Sequence, residues 1–295
     1  MECVKSARFS FIINGKASKW INATNGFRQG CPLSPYLYIL CSQLFSLAMA
    51  QNGQELGIQT SQRSQKISHL LYADEVLIFS HASKHLATKL RSIVLKFCNW
   101  TGFKVNNTKS QILFSKSIRR NEKVKVKKIL NFKTFEELQY LGVQLLLRRS
   151  VRADFQFLIV KVLQKLNSWG SKSLSLAGKL TLVKTSLLSL PNFVSTHNMV
   201  PKKILQEINK CCRNFIWNKK NGKKGMHYVS RSTLCKSKDK GGMNLHSAVD
   251  RAGPLKARLM WMMIQRPESL LSRVVSAKYG DKIWKTNYKS NTSIV

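Results

Sequence analysis

Short apolar runs flank two turn sequences in the first half of the chain, a pattern typical of β-hairpins. Apolar runs between residues 9 and 21 flank Asn14-Gly15, which is a strong signal for a tight hairpin. A second pair of runs, between residues 67 and 80, flanks Ala73-Asp74-Glu75. This pattern predicts a second hairpin, with two acidic residues at or near its turn.

Helical spacing of apolar residues predicts two helices in the same half, from Pro35 to about Ala50 and from Lys84 to about Thr101. Ser34 is the candidate N-cap of the first helix, because proline fits the first helical position. The predicted core positions of that helix are Leu37, Leu40, Cys41, Leu44, Phe45 and Ala48. Strands and helices in this order predict an α+β fold, with an antiparallel sheet covered by helices on one face.

The second half of the chain has a helical period. Three amphipathic helices are expected, one from about Val151, one capped by Ser175 and ended by Pro191, and one from Pro201 to Trp217. Short connections between them predict a small bundle. The predicted domains are therefore 1–148, a helical domain 149–217, and a basic, partly helical region 218–295.

The net charge of the chain indicates which class of partner to expect. The 295 residues include 50 Lys and Arg against 13 Asp and Glu, a net charge of +37. Such an excess favours nucleic acid as the partner, with an anionic membrane surface second. The sequence shows no membrane-spanning stretch and no secretory signal, and its seven cysteines have irregular spacing. We therefore expect an intracellular protein, nuclear or cytoplasmic, that is not embedded in a membrane.

The acidic pair Asp74 and Glu75 is the first candidate for chemistry. Carboxylates at a rigid tip suit Mg²⁺, which takes oxygen ligands and leaves room for substrate phosphates. The alternative is an ordinary acidic turn, because Asp is a common turn residue. The cysteines and histidines lack paired metal-ligand spacing, so the sequence does not favour zinc.

Two motifs together carry a family resemblance. Tyr72-Ala73-Asp74-Glu75 resembles the Tyr-Ala-Asp-Asp signature of reverse transcriptases, and the run from Arg28 to Pro35 resembles the loop-to-helix element that precedes it. The pattern is most similar to LINE-type, non-LTR retrotransposon enzymes. The resemblance implies a partial polymerase palm, then a helical thumb and a C-terminal region. It also implies that the first catalytic aspartate and the fingers would lie upstream of the sequence given.

The resemblance assigns roles to individual residues. Asp74 and Glu75 would be catalytic metal ligands for Mg²⁺ or Mn²⁺, and Lys109 would protonate the leaving pyrophosphate. The implied nucleotide and template contacts are Arg28, Gln29, Gly30, Pro32 and Tyr72, and the implied primer grip is Tyr140, Leu141 and Gly142. The lysines expected to contact phosphates are Lys161, Lys165, Lys172, Lys179, Lys184, Lys219, Lys220, Lys223 and Lys224.

The implied activity is RNA-templated synthesis of DNA from deoxynucleotides on a template-primer. Glu75 stands where the family has aspartate, which weakens the site, and we expect little or no polymerase activity from the chain alone. A non-catalytic RNA- or DNA-binding module is the alternative, and an unstable relic is a third reading.

Overall fold

The computed structural model describes residues 8–23, 26–169, 174–218 and 225–280. The chain forms two compact units, one with residues up to Leu138 and from Ser276 onward, and one from Gln139 to Val275. Among the described residues, no helix is long and apolar enough to cross a membrane.

The first unit mixes short strands with three helices. Its strands are β1 (Arg8–Phe9), β2 (Ile12–Ile13), β3 (Lys16–Ala17), β4 (Ile21–Asn22), β5 (His69–Tyr72), β6 (Glu75–Ile78), β7 (Gln111–Leu113) and β8 (Lys133–Phe135). Its helices are α1 (Ser34–Asn52), α2 (Lys84–Thr101) and α3 (Arg120–Leu130). The basic stretch before β8 is thus largely helical.

Pairing of the strands differs from the expected single sheet. The described residues form five two-stranded sheets, including β1–β4, β2–β3, β5–β6 and β7–β8. The β7–β8 pair is parallel, because α3 crosses between the two strands. Strands of two to four residues have few ladder hydrogen bonds. Each strand pairs with one neighbour, so the expectation of one antiparallel sheet was wrong for the described residues.

The core of the first unit lies between α1 and α2. Phe45, Ala48, Met49, Leu56 and Ile93 are buried together, and Leu71 and Ile78 of the β5–β6 hairpin pack against them. The predicted bounds of α2 are confirmed, since the helix is capped by Ser83 and ends at Gly102 in the left-handed region.

The predicted core face of α1 was partly wrong. Leu40 is 64% exposed and Leu44 is 41% exposed, whereas Phe45, Ala48 and Met49 are buried. The buried face is thus rotated relative to the predicted one. Apolar residues occur around most of this helix, so spacing alone did not identify the side that packs.

The second unit is mainly helical. The boundary between the units falls within β9 (Glu137–Tyr140), which pairs with β10 (Val143–Leu146). The helices that follow are α4 (Gln156–Trp169), α5 (Leu176–Leu182), α6 (Ser189–His197), α7 (Lys202–Trp217), α8 (Arg231–Cys235) and α9 (Ala248–Gln265). A last helix, α10 (Leu270–Tyr279), begins in the second unit, and its residues from Ser276 belong to the first. The buried side chains of α4, α6 and α7 form its core.

Pro191 does not end a helix, contrary to the prediction. Residues Val183–Leu187 form a π-helical turn, in which the Leu188 N–H donates to the Val183 carbonyl at 3.0 Å. Because α6 begins at Ser189, Pro191 lies in its first turn, where a missing N–H costs no helical hydrogen bond. The chain therefore stays helical to His197.

Candidate functional site

The acidic turn is a two-residue hairpin loop. Tyr72 pairs with Glu75 across the hairpin, which leaves Ala73 and Asp74 as the loop. Ala73 has φ +47°, in the left-handed region that a residue with a Cβ seldom adopts. Side chains alternate along a strand, so Tyr72 and Glu75 share the face opposite Leu71, which packs in the core. Both carboxylates are exposed to solvent.

A hydrogen bond from Tyr38 of α1 connects this turn to the rest of the first unit. The Tyr38 hydroxyl donates it to the carbonyl oxygen of Ala73. Partial burial, together with the negative charge of Asp74, raises the pKa of Tyr38. The phenol therefore stays protonated and remains a donor to the turn.

An aromatic cluster surrounds Tyr38. Its ring stacks on Phe103, with centroids 5.8 Å apart and planes at 24°, and meets the edge of Phe27 at 6.3 Å. Phe27 also contacts Phe103 at 6.0 Å. Phe27 immediately precedes the loop that begins with Arg28. The cluster thus connects that loop, α1, the acidic turn and the segment after α2.

The loop before α1 is closed by its own hydrogen bonds. The Ser34 hydroxyl donates to the Arg28 carbonyl at 2.7 Å, and the Ser34 N–H donates to the Cys31 carbonyl at 3.1 Å. Ser34 is therefore the first residue of the helix and not its N-cap, which is Leu33 without a side-chain cap. Gly30 has φ +79°, which a glycine adopts at little cost. Arg28, Gln29, Gly30 and Pro32 are all exposed.

Two titratable groups lie in these elements. Hydrogen bonding to the Leu33 backbone, with further contributions from Ser34 and Arg28, lowers the pKa of Cys31. In β5, burial lowers the pKa of His69, whose ring nitrogens lie 3.1 Å from the Ser46 hydroxyl and 2.9 Å from the Ser68 hydroxyl. His69 therefore serves as a neutral structural residue.

Lys109 and the predicted primer grip lie on two other turns. The Asn106 side-chain oxygen accepts hydrogen bonds from the backbone of Thr108 and Lys109 at 3.1 and 3.2 Å, and Lys109 itself is exposed. Leu141 and Gly142 form the left-handed turn between β9 and β10, with φ +48° and +75°. Tyr140 ends β9, in the second unit.

The lysines expected to contact phosphates fall into three groups. Lys161 and Lys184 are exposed, and Lys165 donates to the Ser186 hydroxyl at 2.9 Å. Lys179 is only 6% exposed, and its ammonium donates to the Asn218 carbonyl at 2.8 Å. Its charge is turned inward, so its expected role in phosphate contact is corrected to a structural one. The remaining five lie outside the described residues: Lys172, Lys219, Lys220, Lys223 and Lys224.

The donor chemistry of the acidic turn fits a divalent cation in part. Asp74 and Glu75 offer the carboxylate oxygens that Mg²⁺ prefers, and this ion commonly binds one or two carboxylates together with substrate phosphates. Within the described ranges, however, no group of three or more His, Cys, Asp or Glu side chains is placed to hold an ion. The turn can contribute ligands, but it does not build a complete protein cage.

Residues 2–145 match the reverse transcriptase (RNA-dependent DNA polymerase) family. This match spans the acidic turn, the loop before α1, Lys109 and the turn between β9 and β10. It covers almost half of the chain, and the helices from α4 onward lie beyond it. The match supports the reverse transcriptase resemblance read from the two motifs for residues 2–145.

Two relatives from Arabidopsis thaliana are also similar to the chain. A protein named "Putative ribonuclease H protein" is 31% identical over 134 residues, which is 45% of this chain and 22% of that protein. An uncharacterized mitochondrial protein is 45% identical over 69 residues, which is 22% of this chain and 56% of that protein. The matched regions span less than two thirds of either relative.

Sequence reasoning did not identify the residues that support the acidic turn. Tyr38, Phe27 and Phe103 are far apart in the sequence, and the resemblance assigns no role to any of them. The available signal was a tyrosine on the packed side of α1, because a partly buried hydroxyl needs a hydrogen-bond partner. That signal becomes useful only once the buried face of α1 is known.

Proposed function

We propose that the chain is part of a LINE-type retrotransposon reverse transcriptase and that it binds a nucleic-acid template-primer. In this proposal residues 1–148 are a partial palm, residues 149–217 are a thumb, and residues 218–295 are a basic C-terminal region. The hydrogen bond from Tyr38 to Ala73 carries the proposal. It joins the acidic turn to α1, and the same Tyr38 ring contacts Phe27, the residue before the loop that begins with Arg28. The resemblance assigns that loop and the acidic turn to one site.

Each candidate residue has a chemical task in this proposal. Arg28 and Gln29 contact the incoming nucleotide or the template, and Gly30 allows backbone to approach it closely. Lys109 gives a proton to the pyrophosphate as the primer 3′-hydroxyl attacks the α-phosphorus. Asp74 and Glu75 would hold Mg²⁺ or Mn²⁺, which neutralises charge on the phosphoryl oxygens when bound.

Weak or absent synthesis is expected from this chain alone. Glu75 carries one methylene more than aspartate, and Mg²⁺ demands near-ideal ligand positions. Two adjacent carboxylates on one turn also provide fewer ligands than a pair of ions requires. Binding does not share this requirement, since exposed lysines and arginines contact phosphates without a metal.

Primer extension on an RNA template with a DNA primer tests the proposal, with Mg²⁺ and with Mn²⁺. Binding is measured in parallel over a salt series, where the logarithm of affinity should fall by roughly 0.7–0.9 per phosphate contacted for each tenfold increase in salt. Asp74→Asn should abolish any residual synthesis and leave binding unchanged. Asp239→Asn, at an exposed aspartate of the second unit, is the matched control.

The second candidate is a non-catalytic nucleic-acid-binding module, which the Glu75 departure and the net charge of +37 favour. It predicts binding without any extension, with or without Asp74→Asn. Robust templated synthesis by the chain would contradict the expectation of weak activity. Failure to bind template-primer even at low salt would contradict both candidates.

A further inference from the structure

The end of α7 presents an aromatic pair at the surface of the second unit. The last residue of the helix, Trp217, meets Tyr228 with ring centroids 5.5 Å apart and planes at 60°. Tyr228 is 73% exposed. An edge-to-face contact orients a ring without covering its faces. Tyr228 is thus an oriented aromatic ring that remains open to solvent.

Packed residues at the end of α7 hold this aromatic pair in place. The buried ammonium of Lys179 donates to the carbonyl of Asn218, the residue after Trp217, and lies 5.9 Å from the centre of the Phe215 ring. Gly225 passes so close to the helix end that an added Cβ would lie 1.6 Å from the Trp217 carbonyl oxygen. Only glycine fits there, so the segment that carries Tyr228 is held against α7.

Two hydrogen-bond donors on the same side of α7 lack acceptors among the described residues. They are the Arg213 Nε–H and the Trp217 Nε1–H, and both nitrogens are buried. Residues four apart are neighbours on a helix surface, so the two donors belong to one patch. Buried donors without acceptors are costly, and a phosphate or base oxygen would satisfy them after a small side-chain shift.

The surrounding charge favours a polyanion as the ligand. The chain carries +37 overall, and Lys236, Lys238 and Lys240 are exposed shortly after Tyr228. An exposed ring on a strongly basic chain suits an unpaired nucleobase, because every base has a face that stacks on an aromatic ring. In a duplex those faces are already stacked and unavailable.

We propose that Tyr228, oriented by Trp217, stacks on an unpaired base of single-stranded RNA or DNA, with Arg213 contacting the adjoining phosphate. This proposal rests on the proposed function only in that the chain binds nucleic acid. It does not need the acidic turn or any polymerase activity, and it adds a single-strand contact outside the region that matches the reverse transcriptase family.

Fluorescence anisotropy with the full chain tests the site, using a labelled single-stranded oligonucleotide and a blunt duplex of the same length. Tyr228→Ala should weaken single-strand binding by roughly 5- to 150-fold, the factor for one stacked base, and should change duplex binding by less than about twofold. Tyr228→Phe keeps the ring and should bind like the parent. Trp261→Ala removes another aromatic residue of the second unit, one that is 58% exposed, and serves as the matched control.

The other possible results of these binding measurements also support or overturn the stacking contact. If Tyr228→Ala leaves single-strand affinity unchanged, or weakens single strand and duplex equally, the stacking contact is overturned while the proposed function stands. If the parent chain binds neither nucleic acid, the proposed function fails together with this inference. Should Tyr228→Ala not fold, Tyr228→Leu keeps the bulk without an aromatic face and must show the same selective loss.

Discussion

Removing the hydroxyl of Tyr38 tests whether α1 holds the acidic turn. Tyr38→Phe keeps the ring, so the stack on Phe103 at 5.8 Å and the edge contact with Phe27 at 6.3 Å remain. The substitution removes only the hydrogen bond to the Ala73 carbonyl. Ala73 has φ +47°, a conformation that costs a residue with a Cβ about 1–2 kcal/mol, and this hydrogen bond offsets part of that cost.

The expected magnitude follows from exposure. A neutral hydrogen bond contributes about 0.5–1.5 kcal/mol net to stability. Ala73 is exposed, so water can replace the phenol, and we expect a loss in the lower half of that range. We expect Tyr38→Phe to change the position of the turn more than it changes the free energy of unfolding of the unit. The role proposed for Asp74 in holding a metal ion should therefore weaken before the unit unfolds.

Urea unfolding measures the stability term, and Tyr36→Phe is the matched control because Tyr36 lies on the same helix and is 67% exposed. A direct readout is the phenol titration of Tyr38, followed by ultraviolet absorbance as the difference between the parent and Tyr38→Phe. Because the Asp74 charge helps to raise the pKa of Tyr38, Asp74→Asn should lower it. If Tyr38→Phe destabilises no more than the control, and Asp74→Asn leaves the titration unchanged, Tyr38 does not hold the turn.

Two further predictions concern the second unit. Asp154→Asn should cost about 1.5–3 kcal/mol at neutral pH, because Arg148 donates to both carboxylate oxygens at 2.6 and 2.7 Å. The Arg148 hydrogen bonds hold the pKa of Asp154 below its usual value, so this stabilisation is lost as pH falls through that lowered pKa. In urea unfolding, the free energies of unfolding of the parent and of Asp154→Asn should therefore become equal in acid. Lys179→Met should leave the salt dependence of nucleic-acid binding unchanged, because the Lys179 ammonium is buried. Lys161→Met, at an exposed position, should reduce the slope of log affinity against log salt by about 1. An equal effect of both substitutions would contradict the structural role of Lys179.

Local signals in the sequence were sufficient where one dominant interaction fixes the conformation. Asn14-Gly15 adopts positive φ at both residues and joins β2 to β3, as the dipeptide predicts. The predicted limits of α2 agree with the structure, because Gly102 can take the left-handed C-cap at no steric cost. These features depend on a few neighbouring residues, so the rest of the chain has little influence on them.

The predictions failed where a contact outside the predicted motif decides between local alternatives. Ser34 has the right chemistry for an N-cap, but its hydroxyl donates to the Arg28 carbonyl and closes the preceding loop. Pro191 has the right chemistry to end a helix, but the π-helical turn before it places the proline in a new first turn. Lys179 lies in a cationic sequence, yet its charge is used to hold the end of α7.

In the candidate site, too, the sequence predicts the individual turns but not the contacts that bring them together. The family motifs supply exposed groups on turns, and those groups can be read from the sequence because turns have local signatures. Their spatial relation depends on Tyr38, which bonds to the Ala73 turn on one side and packs against Phe27 and Phe103 on the other. A variant that keeps every motif residue but loses this connection should therefore bind nucleic acid normally and position nucleotides poorly. The reverse holds at Tyr228, where the ring itself is exposed and its loss should affect binding alone.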